Sequence, residues 1–218
     1  MSGHGSSVAG IIAAKNDGRG ISGIAPEALI YSAKVLDGEN RSTISRVIDG
    51  IYWAIDNKVN IINMSFGTSK KSEALHQAVK EAKKAGILMI AAAGNNRQIE
   101  YPAAYDEVMA VGSVDTKGEI SEKSAIGEEM EIVAPGEQIC STGAFGGTVV
   151  ASGTSMSAPH ITGVAVKLWE KDNTVSADFI RQLLDASANK FTSSRSCGNG
   201  LVDYSYAEKI YDDFKKTY

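Results

Sequence analysis

Ile87-Leu88-Met89-Ile90-Ala91-Ala92-Ala93-Gly94-Asn95 is the stretch on which the fold turns. An unbroken apolar run that ends at a glycine and a side-chain amide reads as a strand covered on both faces. Such strands belong to parallel sheets, whose crossover connections are helices. Outward from this run the chain keeps the required alternation. Upstream, Ser72 to Ala85 carries Leu75, Ala78, Val79 and Ala82 at helical spacing, with Gly86 closing it. Before it come a strand from Asn60 to Ser65 and a helix from Thr43 to Asn57. That helix has its stripe at Ile44, Val47, Ile48, Ile51 and Ile55 and a cap at Ser42 or Thr43. A further strand is expected near Leu29 to Val35. Downstream, Val108 to Val114 reads as a strand, and an apolar helix follows Ser155 through Ile161, Gly163, Val164, Ala165 and Leu168, with Pro159 tolerable near its first turn. A helix from Ser176 to Ala188, a Gly198-Asn199-Gly200 turn leading into Leu201 and Val202, and a terminal amphipathic helix from Ser205 complete the pattern. The alternation predicts an α/β fold, a doubly wound, mostly parallel sheet with helices on both faces. Ligands on such sheets bind at the carboxyl ends of the strands, where Ser65-Phe66-Gly67 and Gly94-Asn95 both fall.

At 218 residues, 43% hydrophobic, the chain is of one-domain size. The net charge of -4 and the dispersed lysines and arginines give no footprint for nucleic acid. No apolar run approaches the roughly 20 residues that span a bilayer, and no charged-then-apolar leader opens the chain. No membrane segment is expected. Two cysteines, Cys140 and Cys197, make no disulfide framework. They read as free structural thiols, a single bridge being the alternative. No glycine-rich phosphate loop follows a first strand, which counts against a nucleotide-binding domain.

Chemistry concentrates in two further segments. Gly153-Thr154-Ser155-Met156-Ser157-Ala158-Pro159-His160 sets Ser155 where a loop gives way to an apolar helix. Unpaired N–H groups there favour negative charge on a reacting carbonyl oxygen. Gly3-His4-Gly5-Ser6-Ser7-Val8-Ala9-Gly10 sets a histidine at the start of another small-residue helix. Taken singly, Ser155 is a helix cap, His4 a surface or capping histidine, and Asn95 a turn residue. In this order, and with Ser32-Ala33-Lys34-Val35-Leu36, Asn63-Met64-Ser65-Phe66-Gly67, Tyr101-Pro102-Ala103 and Ala134-Pro135-Gly136 between them, the segments resemble the subtilisin-like serine proteases over nearly the whole chain.

The resemblance implies a serine endopeptidase working through an acyl-enzyme. Ser155 would be the nucleophile, His4 the general base and Asn95 the oxyanion donor. It implies substrate lying as an added strand on Ser65, Phe66 and Gly67, with a pocket walled by Ala92, Ala93 and Gly94. Glu100, just before Tyr-Pro, would lie near the pocket base and pair with Lys or Arg on the acyl side of the cleaved bond; a solvated Glu100, paired with Arg97, is the alternative. His76 is expected to be a solvated helix residue and His160 a packed, structural one.

The family's third catalytic residue is an aspartate in an Asp-(Ser/Thr)-Gly turn after the first core strand, ahead of the histidine. No aspartate precedes His4, and Asp17 and Asp37, each before a glycine, read as turn residues. The expectation is therefore a single domain over residues 1–218, amino-terminally truncated, with its first core strand missing and weak or no activity alone. An amino-terminal segment or a second copy would complete the sheet, and a peptide or protein would be the substrate. No cofactor is required. Structural calcium is the one ion the resemblance allows, at Asp17 and the carbonyls of Arg19 and Ile21, against a plain Asp-Gly turn. Ser6 and Ser7 depart from the family's usual Thr and His. The rival reading is a non-catalytic pseudoprotease or peptide-binding scaffold. Location is open, with the resemblance favouring the outside of the cell.

Overall fold

The computed structural model describes residues 3–190 and 197–218. In chain order the elements are α1 (His4–Ala13), α2 (Ile44–Asp56), β1 (Ile61–Met64), α3 (Glu73–Lys84), β2 (Leu88–Ala92), β3 (Val108–Val114), β4 (Met130–Pro135), β5 (Ile139–Thr142), β6 (Thr148–Ala151), α4 (Thr154–Trp169), α5 (Ala177–Ser187) and α6 (Tyr204–Thr217). Strands β1 to β4 form a parallel sheet in that order. β5 and β6 form a separate antiparallel hairpin. The expected helices are present, and their caps follow side-chain chemistry: Thr43, Ser72, Ser176 and Asp203 each accept a backbone N–H of the first turn.

The two cores lie on opposite faces of the sheet. On one face Leu88, Ile90, Val111 and Ile132 pack with α4, α5 and α6 through Ile161, Leu168, Ile180, Leu183 and Tyr211. On the other, Met89, Ala91 and Val108 pack with α2 and α3 through Val47, Ile51, Leu75, Ala78 and Val79. This is the doubly wound arrangement. Every residue of β2 and β3 is buried, which explains their continuous apolar text. No helix among the described residues is long and apolar enough to cross a membrane. Cys140 is exposed and Cys197 buried, both free thiols.

One strand expectation fails. Leu29 to Val35 forms no strand and joins no ladder. Leu29, Ile30 and Tyr31 are exposed, Leu29 by 84%. The text has strand character, but a strand exists only through its neighbour's hydrogen bonds, and here the sheet stops at β1. Val35 is nevertheless anchored near Gly50 of α2, and its carbonyl accepts from Ser42 Oγ at 2.7 Å. Two elements lacked a clear sequence signal. β4 holds the Ala134-Pro135 motif, and the β5–β6 hairpin fills the stretch between that motif and Ser155.

Candidate active site

α4 begins at Thr154, with Gly153 as its cap at φ 134, and the sequence dictates this start. A side chain at 153 would press within 3.1 Å of Asn95 Oδ1, so only glycine lets the loop pass the end of β2. Asn95 Oδ1 accepts the Thr154 N–H at 2.9 Å, and the Thr154 hydroxyl donates to it at 3.3 Å and accepts the Gly94 N–H at 3.1 Å. A backbone N–H can face only the amide's oxygen, which leaves Nδ2 as the outward donor. Asn95 is exposed at the strand's carboxyl end. The Ser155 N–H is one of the first-turn donors that a helix leaves unpaired.

Pro159 sits inside α4 rather than in its first turn. Having no N–H, it leaves the carbonyl four residues earlier, that of Ser155, without its helical partner. Ser65 Oγ supplies the missing donor at 2.9 Å. Ser65 Oγ in turn accepts from Asn63 Nδ2 at 2.9 Å, and Asn63 Oδ1 accepts from Thr162 Oγ1 at 2.9 Å. This hydroxyl–amide chain ties β1 to α4 beneath Ser155. The sequence gives Thr162 no distinguishing mark and shows Asn63 only as the first residue of Asn63-Met64-Ser65-Phe66-Gly67; Pro159 was the available signal.

α1 is placed by the hairpin. Ser141 Oγ donates to Ser7 O at 2.6 Å, Thr142 Oγ1 to Ser6 O at 2.7 Å, and Ser7 Oγ to Thr142 O at 3.1 Å. The Ser7 hydroxyl and the backbone carbonyls of Ser6 and Ser7 thus dock this helix on β5. Gly10 allows the close approach, since any side chain there would collide with Thr142. The result is that His4, at the amino end of α1, reaches the end of β1: His4 Nε2 lies 2.9 Å from Ser65 O. Ser155 Oγ donates to the same carbonyl oxygen at 3.0 Å. Imidazole and hydroxyl therefore converge on one atom, with Asn95 held one residue from Ser155. All three predicted groups are brought together.

The remaining predicted residues lie at or just beyond the carboxyl ends of β1 and β2. Ser65 is buried, Phe66 half-buried and Gly67 exposed; Ala92, Ala93 and Gly94 are buried, Ala92 and Ala93 within the apolar cores. Glu100 lies against Gly67 and Gly94. Arg97 does not pair with it: its Nη1 donates to Glu122 O at 3.0 Å.

His76 is not the solvated residue expected. It stacks on Tyr105 at 4.2 Å and pairs with Glu107 at 2.9 Å, holding α3 to the segment before β3. Its helix border faces a neighbour that periodicity does not reveal. His160 is half-buried; its Nδ1 donates to Met156 O at 2.8 Å, and burial lowers its pKa. Asp17 Oδ1 accepts the Arg19 N–H at 3.0 Å in an exposed turn. One carboxylate in an exposed turn does not by itself fit calcium, which takes 6–8 oxygens. No group of three or more His, Cys, Asp or Glu side chains among the described residues is placed to hold a metal.

The pattern of the subtilase family matches residues 1–200. The chain belongs to the subtilase family. It is 45% identical over 202 residues to a thermostable alkaline protease of Halalkalibacterium halodurans, covering 92% of this chain and 56% of that protein. It is 40% identical over 207 residues to subtilisin DY of Bacillus licheniformis, covering 92% of this chain and 76% of that one. Among solved structures, the protease domain of PatA superposes with a TM-score of 0.90 at 32% identity, over 100% of this chain and 82% of that domain. Subtilase membership makes this a serine-protease-type hydrolase fold, in agreement with the convergence of His4, Ser155 and Asn95. The chain spans little more than half the length of the first relative.

Proposed function

We propose that this chain is the larger part of a subtilisin-type serine endopeptidase site. Ser155 Oγ attacks the scissile carbonyl while His4 Nε2 takes its proton and later delivers it to the leaving amine. Water then hydrolyses the acyl-enzyme by the reverse proton path. Asn95 Nδ2 and the Ser155 N–H receive the developing oxyanion. The observation that carries this reading is the shared contact of His4 Nε2 and Ser155 Oγ with Ser65 O.

The same contact argues that the chain alone rests in an unproductive state. A carbonyl oxygen only accepts, so Nε2 carries the proton when it bonds Ser65 O. A general base needs Nε2 unprotonated and accepting from Ser155 Oγ. A carboxylate at the imidazole's other nitrogen would hold the proton there and release Nε2. In subtilisin itself, losing the orienting aspartate lowers turnover about 3 × 10⁴-fold. The partner we propose is therefore an extended, Asp-bearing segment added at the open edge of β1, where Ile61 and Ile62 are only half-buried. It would come from an amino-terminal piece of the same protein or from a second copy.

The test is fluorophosphonate labelling of the chain with and without an amino-terminal fusion carrying an apolar strand and an Asp-Ser-Gly turn, with Ser155→Ala as control. Labelling at Ser155 that rises steeply with the fusion supports the reading. No labelling in either form removes it and leaves a peptide-binding scaffold.

A further inference from the structure

Ser65 and Ser155 are joined by two reciprocal hydrogen bonds. The Ser155 hydroxyl donates to Ser65 O at 3.0 Å, and the Ser65 hydroxyl donates to Ser155 O at 2.9 Å. Acyl transfer treats the two bonds differently. The first must break when Ser155 Oγ turns to the imidazole, because a hydroxyl carries a single proton. The second engages only the backbone of Ser155 and can stay in place, holding the start of α4 against the end of β1 while the hydroxyl above it moves. A hydroxyl rotates to suit its surroundings, so the second bond depends on what keeps the Ser65 proton aimed at Ser155.

Asn63 Nδ2 donates to Ser65 Oγ at 2.9 Å. That bond occupies a lone pair of the oxygen and leaves its proton for the Ser155 carbonyl. Asn63 Oδ1 accepts from Thr162 Oγ1 at 2.9 Å, which sets the orientation of the amide. Thr162 lies about two helical turns beyond Ser155 on α4, so the relay leaves the helix, crosses to β1 and returns to the helix. Ser65 and Thr162 are 6% and 5% exposed. Water therefore does not replace a donor lost from this chain, and each bond fixes the direction of the next. We propose that Asn63 is a positioning residue for the nucleophile: it directs the Ser65 proton to the Ser155 carbonyl, with Thr162 orienting its amide. The role of Ser155 itself rests on the endopeptidase reading, to which this adds two residues that act through Ser65.

Ser155-Met156 is the only Ser-Met pair in the chain, so isotope labelling of serine carbonyl carbons and methionine nitrogens yields a single NMR cross-peak, which reports the Ser155 carbonyl without turnover. A carbonyl carbon that loses a hydrogen-bond donor moves upfield, and Ser65→Ala marks the position without the donor. Asn63→Asp is nearly isosteric, but at about pH 8 its carboxylate only accepts, so it draws the Ser65 proton to itself. The expected result is an upfield shift with Asn63→Asp close to that of Ser65→Ala, a shift in the same direction with Thr162→Val, and none with Thr162→Ser, which keeps the hydroxyl. Circular dichroism verifies folding, and Thr162→Val decides the case if Asn63→Asp does not fold. In the fusion that carries the Asp-Ser-Gly turn, either disruptive variant should slow fluorophosphonate labelling of Ser155 roughly 10- to 100-fold. A resonance that stays in place, or one that moves while labelling keeps its unsubstituted rate, overturns the proposal. A fusion that does not label even with Asn63 and Thr162 intact removes the endopeptidase reading instead, and the positioning role with it.

Discussion

Ile87 to Ala93 and Leu29 to Val35 are both short apolar runs, yet one forms the fully buried strand β2 and the other lies unpaired, with Leu29 exposed by 84%. The contrast is one of neighbours, not of residues. β2 has β1 and β3 beside it and helices over both faces. The earlier run has α2 on one side and no ladder on the other. The same asymmetry runs through the proposed active site. On the β2 side Asn95 Oδ1 is locked by Thr154, which leaves Nδ2 facing outward. On the β1 side the histidine and serine spend their hydrogen bonds on the Ser65 carbonyl. Preorganisation stops where the sheet stops.

The sharpest way to break this contrast is to supply the missing neighbour. An Asp-bearing strand fused ahead of His4 is expected to raise the rate of fluorophosphonate labelling by on the order of 10³- to 10⁴-fold, and to slow hydrogen exchange across residues 29–36. If labelling rises without that protection, the carboxylate acts and the strand does not dock. Next in size, truncation should separate the two runs. Ile90→Ala, at a position with no exposure, should cost about 2–5 kcal/mol in urea unfolding. In the fused form, Asn95→Ala should lower labelling about 10²- to 10³-fold with little change in stability, because the oxyanion side is already set.

A smaller effect tests the packed face through pH. Asp185 on α5 is pushed up to about 8, first by burial and then by the negative charge of Glu131, with Arg181 and Asn199 opposing. Its Oδ1 is shut off from solvent without a hydrogen-bond partner, and Arg181 Nε is committed to Glu131 at 2.6 Å. A carboxyl whose folded pKa is raised binds its proton more tightly in the fold. Its contribution is whole below the unfolded value near 4, declines as pH rises, and is gone above about 8. The melting temperature should fall by a few degrees from pH 6 to pH 9, and Asp185→Asn should flatten that fall. Smallest of all, Ile30→Ser on the exposed run should change stability by no more than about 0.5 kcal/mol. A larger loss would mean that this run is packed in solution.

Much of this was legible in the text. Helix positions followed from the stripes at Ile44 to Ile55 and at Leu75 to Ala82 and from hydroxyl caps, since those signals are local. Ser155, His4 and Asn95 stand out in the text because each sits at an element boundary marked by glycines. Three things were not. Leu29 to Val35 has the text of a strand without the partner, and periodicity cannot see a partner. His76 lies at a helix border whose covering, Tyr105 and Glu107, comes from about thirty residues away. The β5–β6 hairpin is short and largely exposed, so it shows no clean alternation, although it seats the histidine helix.

By itself, the sequence determined the order of strands and helices, the two-faced burial of the central strands, and which serine, histidine and asparagine stand at the strand and helix ends. These follow from side-chain periodicity and from the backbone demands of glycine and proline, which act over a few residues. Only the tertiary structure decided that His4 and Ser155 meet on the Ser65 carbonyl, that Ser65 supplies the donor Pro159 denies the Ser155 carbonyl, and that Glu100 packs against Gly67 and Gly94 instead of pairing with Arg97. Those outcomes depend on hydrogen bonds between residues far apart in the chain, whose distances are fixed only when the sheet and α4 have packed.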